Sequence, residues 1–169
     1  MLRTVFFLCL IAGLLLVGCA PETSTPPPPQ DEPATSTPAI PFVKEGELTF
    51  ERDGEPILQI DIEIADTDST RERGMMERED IPALSGMLFI FDFEAPQQFW
   101  MSNTPLSLDL IYVNAESTVV SMTKYATPFS PDPIRSIGPA QFVVELKAGM
   151  ADTHGILEGD RIRWTELAD

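Results

Sequence analysis

Hydrophobic and polar residues alternate strictly along residues 57–65, which read ILQIDIEIA. The apolar side of this pattern carries Leu58, Ile60, Ile62 and Ile64, and the polar side carries Gln59, Asp61 and Glu63. A period of two is typical of a β-strand with one buried and one solvated face. The preceding ELTFERDGEPIL predicts a partner strand, with Asp53 and Gly54 at the hairpin turn.

Two further segments are apolar on both faces for most of their length, which predicts central strands of a sheet. They are GMLFIFDF (86–93) and LSLDLIYVN (106–114). The shorter runs TVVSMTK, AQFVVELK and GDRIRW predict three more strands. Because short strands dominate and proline-rich crossings separate some of them, we predict a mainly β single domain, built as a β-sandwich or a jelly-roll-like barrel.

The alternation stops in ADTDSTRERGMMERED (65–80). Thr67 or Ser69 can cap a short helix there, and Gly74 is placed to end it. A second helical turn is predicted at residues 149–155, with His154, the only histidine, in its last turn. A cation is favoured at a helix C-terminus, so we assign His154 a capping role and expect one or two short helices in all.

The first residues indicate export. Arg3 precedes a short apolar run that ends in LVGC at Cys19. The run is too short to span a bilayer comfortably and fits the hydrophobic region of a signal peptide. A small residue before a cysteine resembles a bacterial lipobox, so we predict a signal peptide over 1–18 and lipidation of Cys19. The protein is then anchored in a membrane and faces the periplasm or the cell exterior; the alternative is an ordinary signal peptide with an incidental cysteine.

Residues 19–41 are rich in proline and threonine and offer little apolar surface to bury, so we predict a disordered tether. Residues 42–169 form the β domain. Cys9 lies in the predicted signal peptide and Cys19 is lipidated, which leaves no cysteine for a disulfide, thiol catalysis or a zinc site. With one histidine as well, we expect no metal and no cofactor.

The chain is strongly acidic: it has 27 aspartate and glutamate residues against 11 lysine and arginine residues, and a formal net charge of −16. Such a surface repels nucleic acid, so nucleic-acid binding is set aside. The charge does not identify a protein partner or an oligomeric state.

Five blocks between residues 58 and 164 closely resemble the DUF192 family, a group of small bacterial and archaeal domains of unknown function. They are RERGMMER, GMLFIF, FWMSNTPLSLDLIYV, FVVELKAG and HGILEGDRI. The resemblance implies a compact β-sandwich, jelly-roll-like domain and brings no activity with it. Ser102 stands where a basic residue is frequent in relatives, which puts any role of that charge in doubt.

Asp109 is the sharpest chemical feature, because it interrupts an apolar strand. An ionised carboxylate on an apolar face is costly unless it is paired and hydrogen-bonded. We predict Arg73 as its partner, with Asn103 and backbone donors completing the shell. Three interpretations are open: a structural ion pair that fixes the helix to the sheet, the polar floor of a ligand pocket, or an exposed strand end.

Trp100 follows Phe99 and precedes the polar step Ser102-Asn103-Thr104. An aromatic ring beside hydroxyl and amide groups suits sugar binding, although a core tryptophan that closes the end of the sandwich is the simpler interpretation. We therefore predict a ligand-binding surface made of Arg73, Trp100, Asn103 and Asp109. It would bind a small or saccharide-like ligand or a cell-envelope partner.

Glu145 alternates with apolar residues in FVVELK, as Asp109 does in its own strand. Together the two carboxylates would suit a general acid and base acting on a glycosidic bond. A hydrolase of envelope polysaccharide is thus the runner-up function, and a purely structural envelope protein is the third. We expect a binding protein rather than an enzyme.

Overall fold

A computed structural model of the chain describes residues 40–168 and shows a mainly β fold with two short helices. The strands are β1 (Gly46–Arg52), β2 (Glu55–Ala65), β3 (Ser85–Phe99), β4 (Leu108–Val113), β5 (Val119–Ala126), β6 (Ile134–Lys147) and β7 (Arg161–Glu166); the helices are α1 (Asp68–Arg73) and α2 (Met150–Thr153). The predicted fold class is confirmed. The predicted signal peptide, Cys19 and nearly all of the predicted tether lie outside the described residues.

The strands form one seven-stranded sheet in the order β5-β4-β6-β3-β2-β1-β7. This sheet curls into a half-barrel whose edge strands meet at one end, where Thr118 bridges Arg161. The Val119 amide donates to the Asp160 carbonyl there at 2.8 Å, and the Ile162 amide donates to the Ser117 carbonyl at 2.9 Å. Pairing between the edges covers backbone groups that an open sheet would expose.

β2 and β3 pair in parallel, whereas every other pair of neighbouring strands is antiparallel. A parallel pair needs a crossover connection, and α1 lies in the crossover between these two strands. Thr67 caps α1 by accepting a hydrogen bond from the Thr70 amide, and Thr70 completes the capping box. The crossover places α1 and the irregular segment after it against one face of the sheet.

Both faces of the central strands are buried. One apolar cluster draws on all seven strands, including Phe50, Ile111 and Leu146, and fills the interior of the curled sheet. A second cluster lies on the other face, where Phe89 and Tyr112 are covered by residues from the crossover and from the segment before β4. Within residues 40–168, no helix has the length and apolarity needed to cross a bilayer.

Candidate functional site

Asp109 is fully buried, and its partners are backbone amides. Its Oδ1 accepts from the Tyr125 amide at 2.9 Å, and its Oδ2 accepts from the amides of Gly149 at 2.9 Å and Ala151 at 3.0 Å. The prediction that Arg73 pairs with Asp109 is therefore wrong. The carboxylate instead ties the end of β5 and the start of α2 to β4.

The register of the sheet explains this correction. Asp109 lies opposite Leu146 and Leu110 lies opposite Glu145, so the side chains of Asp109 and Glu145 point to opposite faces of the sheet. α1 lies on the face that carries Glu145, which separates Arg73 from Asp109. For the same reason the predicted catalytic pair cannot form: a substrate on one face would meet only one of the two carboxyl groups.

A cavity of about 350 Å³ opens on the Glu145 face, between the sheet and the end of α1. We call it the aromatic pocket; it is lined by Arg71, Glu72, Arg73, Gly74, Met75, Met76, Phe89, Phe91, Gln98, Phe99, Trp100, Thr104 and Glu145. Two predicted ligand-binding residues, Arg73 and Trp100, are brought together here. Asn103 is an exposed turn residue beside this lining, and its carbonyl accepts from the Glu77 amide at 2.7 Å.

The phenylalanines of the pocket brace one another edge to face. The Phe99 ring lies 5.0 Å from that of Phe89 and 6.4 Å from that of Phe91, centroid to centroid, with interplanar angles near perpendicular. Such pairs add about 0.5–1.5 kcal/mol each beyond the area they bury. Trp100 belongs to no such pair and is 49% exposed, which leaves its ring available at the rim.

Gly74, at the end of α1, forms part of the pocket wall that the crossover contributes. Its φ of 47° lies in the region that favours glycine, and a Cβ atom built there would lie 3.1 Å from the Phe89 ring. Any other residue would therefore strain the end of α1 and intrude between this wall and the aromatic floor.

Glu145 forms the chemically unusual part of the pocket. It is only 5% exposed, its carboxyl group makes no hydrogen bond within the described part of the chain, and its Oε2 is wholly enclosed. Removal from water disfavours the charged form, which raises the pKa of Glu145 to about 8. At neutral pH the pocket thus contains a protonated acid, able both to donate and to accept a hydrogen bond.

Sequence reasoning located Glu145 but gave it the wrong surroundings, and it missed Phe89, Phe91 and the two methionines as pocket residues. The alternation in FVVELK was a sufficient signal for a carboxyl on a buried face. The local sequence does not show that Glu145 lacks a hydrogen-bond partner, because its surroundings come from β3 and α1, which are distant in sequence. Among residues 40–168, no three histidine, cysteine, aspartate or glutamate side chains gather to hold a metal ion.

The protein is thus a small, mainly β domain. Its described part contains the aromatic pocket, in which Glu145 is a buried acid. Residues 48–164 match the DUF192 family, described as uncharacterized ACR, and the chain belongs to that family. The resemblance noted in the sequence is thereby confirmed. No curated protein shows a significant match to the chain.

Solved structures show the same fold. A protein from Sinorhizobium meliloti 1021, described as a candidate transcription regulator, is 32% identical with a TM-score of 0.68, over 74% of this chain and 96% of that one. A protein of unknown function from Novosphingobium aromaticivorans DSM 12444 is 29% identical with a TM-score of 0.67, over 70% of this chain and 84% of that one.

We expect Asp109→Ala to lower the free energy of unfolding by about 3–5 kcal/mol, because three backbone amides lose the acceptor that a fully buried carboxylate gives them. Urea unfolding at neutral pH measures the change. Asp92→Ala, at an exposed position of β3, is the control and should stay within about 0.5 kcal/mol of the parent. A loss below about 1 kcal/mol in Asp109→Ala would contradict the structural role.

Glu145→Gln should change how stability depends on pH. The pKa of Glu145 is raised from 4.5 to about 8 on folding, so the folded chain retains a proton that the unfolded chain releases. The parent therefore loses stability as pH rises from about 4.5 to about 8, by roughly 3–5 kcal/mol, and then levels off. The glutamine variant lacks this loss.

The measurement is urea unfolding of both proteins between pH 4.5 and 9. Other titrating groups are common to both chains and cancel in the difference. A difference in stability that does not grow between pH 5 and 8 would mean that the carboxyl is ionised and satisfied in the folded protein.

Proposed function

We propose that this protein is a lipid-anchored, exported domain that binds a small ligand with a ring-shaped apolar body in the aromatic pocket. The observation that carries the proposal is the Glu145 carboxyl group, which is buried against the pocket without a partner. Buried polar groups are nearly always hydrogen-bonded, and the exceptions concentrate at functional sites. A ligand that offers a hydroxyl or carbonyl would supply the missing partner.

The size and composition of the pocket support a ligand of this kind. Its volume of about 350 Å³ lies within the range of small-molecule sites. Six of the thirteen lining residues are aromatic rings or methionines, and polar or charged groups come from Arg71, Glu72, Arg73, Gln98, Thr104 and Glu145. Such a wall suits a ring that packs on one face and directs hydroxyl groups toward fixed acceptors and donors, as a saccharide does.

Trp100 gives the pocket its accessible ring face. It lies at the rim and is about half exposed, whereas Phe89 is 1% exposed and forms the floor. A ring entering the pocket would cover the exposed face of Trp100, and burial of apolar area stabilises a complex by about 25 cal/mol per Å² before the costs of association. The binding energy would therefore depend strongly on Trp100.

We expect phenyl β-D-glucopyranoside, used as the probe, to shift the amide NMR signals of residues that line the aromatic pocket. Trp100→Ala should weaken binding at least tenfold, because the exposed half of the ring is the surface that the probe covers. Phe93→Ala removes an aromatic side chain that is 73% exposed and lies outside the pocket, so it serves as the matched control. Signal changes scattered over the surface, or equal affinity in Trp100→Ala, would count against the proposal.

The lipid anchor rests on the sequence LVGC and on the apolar run before it. Cys19→Ser should abolish labelling with an alkyne-tagged fatty acid and move the protein from the membrane fraction to the soluble fraction. Cys9→Ser is the matched control, because that cysteine lies within the predicted signal peptide and should leave labelling intact. Membrane association that persists in Cys19→Ser would show that another segment holds the protein there.

A further inference from the structure

A second cavity, of about 570 Å³, adjoins the aromatic pocket. Arg73 and Gly74 line both cavities and so form the ridge between them. We call the second one the arginine cavity, because Arg78 lies in its wall. Glu63, Met87 and Glu145 are side by side in register across β2, β3 and β6, so the two cavities share one face of the sheet as their floor.

The distance between Glu63 and Glu145 gives the length of this floor. Neighbouring strands lie about 4.8 Å apart, so the backbones at these two residues are separated by about 10 Å. One molecule of moderate length can therefore reach both cavities. The two ends of the floor differ: Glu145 stands alone at one end, and Glu63 is paired at the other.

Arg78 is buried and only partly satisfied. Its Nη2 lies 2.8 Å from Oε2 of Glu63, and both side chains are 7% exposed. Oε1 of Glu63 accepts from the Val43 amide at 2.9 Å and from Nη2 of Arg78 at 3.0 Å, whereas Oε2 has the ion-pair contact and no hydrogen bond in the described chain. Nε and Nη1 of Arg78 are enclosed without an acceptor in the described chain, which leaves donor capacity on this guanidinium.

Arg73 has no ion-pair partner within residues 40–168, and it is exposed on the ridge between the cavities. Most other lysine and arginine side chains in the described residues do have an ion-pair partner. A carboxylate lies within ion-pair distance of Lys44, Arg52, Arg71, Arg78, Lys124, Lys147 and Arg163. Of the acids in the arginine cavity, Glu63 is held by Arg78, and Glu45 accepts from the Ile64 amide at 2.6 Å. Arg73 thus offers an unpaired guanidinium beside two cavities.

We infer that the two cavities form one bipartite site and that its ligand is an amphipathic organic anion. The ligand's ring lies in the aromatic pocket, and its carboxylate binds the guanidinium of Arg73 on the side of the arginine cavity. Arginine suits this role because its planar fork of N–H donors matches a carboxylate in a bidentate pair. This inference rests on the proposed function, since it names the chemical class of the ligand for the same pocket.

The test uses two probes that differ by one group: phenyl β-D-glucopyranoside, and phenyl β-D-glucuronide, in which a carboxylate replaces the hydroxymethyl group. The readout is the ratio of their affinities, measured by calorimetry or NMR titration. We expect the glucuronide to bind the parent at least tenfold more tightly. In Arg73→Gln the ratio should fall to near one, and added sodium chloride should reduce it in the parent.

Arg135→Gln is the matched control, because Arg135 is also an exposed arginine without an ion pair in the described residues and lines neither cavity. It should preserve the ratio of the parent. A ratio near one in the parent would overturn the anionic ligand while leaving a neutral one in the aromatic pocket. A high ratio that survives Arg73→Gln would overturn the role of Arg73. If neither probe binds, the proposed function fails, and the inference fails with it.

Discussion

A carboxyl group on the buried part of a central strand has to find hydrogen-bond donors or lose its charge, because both faces of the sheet are covered there. Asp109 and Glu145 show the two outcomes on neighbouring strands. Asp109 meets three backbone amides at 2.9–3.0 Å. Glu145 meets none within the described residues, and burial raises its pKa to about 8. Side chains alternate between the two faces along β4 and β6, so Asp109 and Glu145 lie on opposite faces of the sheet. One face carries the stabilising carboxylate of Asp109, and the other carries the aromatic pocket.

The amides that hold Asp109 come from irregular backbone. Tyr125 has a φ of 55° and Gly149 a φ of 86°, both in the left-handed region. A tyrosine in that conformation is uncommon, and such a residue persists where surrounding contacts fix it. Asp109 supplies one of these contacts, and the Tyr125 hydroxyl donates to Asp152 at 2.7 Å as a second. On the interior face, the buried carboxylate of Asp109 thus holds together the joints between β5, α2 and β4.

The sequence was informative wherever a feature is local. Alternation in ILQIDIEIA predicts β2, and apolar runs on both faces predict β3 and β4 as central strands, which is what the sheet order shows. Strand period also places Asp109 on a buried face. It does not name the partner, since Gly149 and Ala151 lie 40 and 42 residues away and reach Asp109 only through the packing of α2. Arg73 and Trp100 were predicted as site residues and do line the pocket, although Arg73 lies on the opposite face from Asp109.

The cost of Glu145 argues against a purely structural pocket. An apolar residue of similar size would fill this position without leaving a buried polar group unpartnered, which is costly. The chain instead carries an acid whose proton is retained at neutral pH, beside a ridge where Arg73 remains unpaired in the described structure. In the site that we propose, the protonated carboxyl would exchange hydrogen bonds with a neutral oxygen of the ligand, and the guanidinium would select negative charge. Because Arg73 on the ridge and Glu145 on the sheet both line the aromatic pocket, one ligand with a neutral oxygen and an anionic group could contact both.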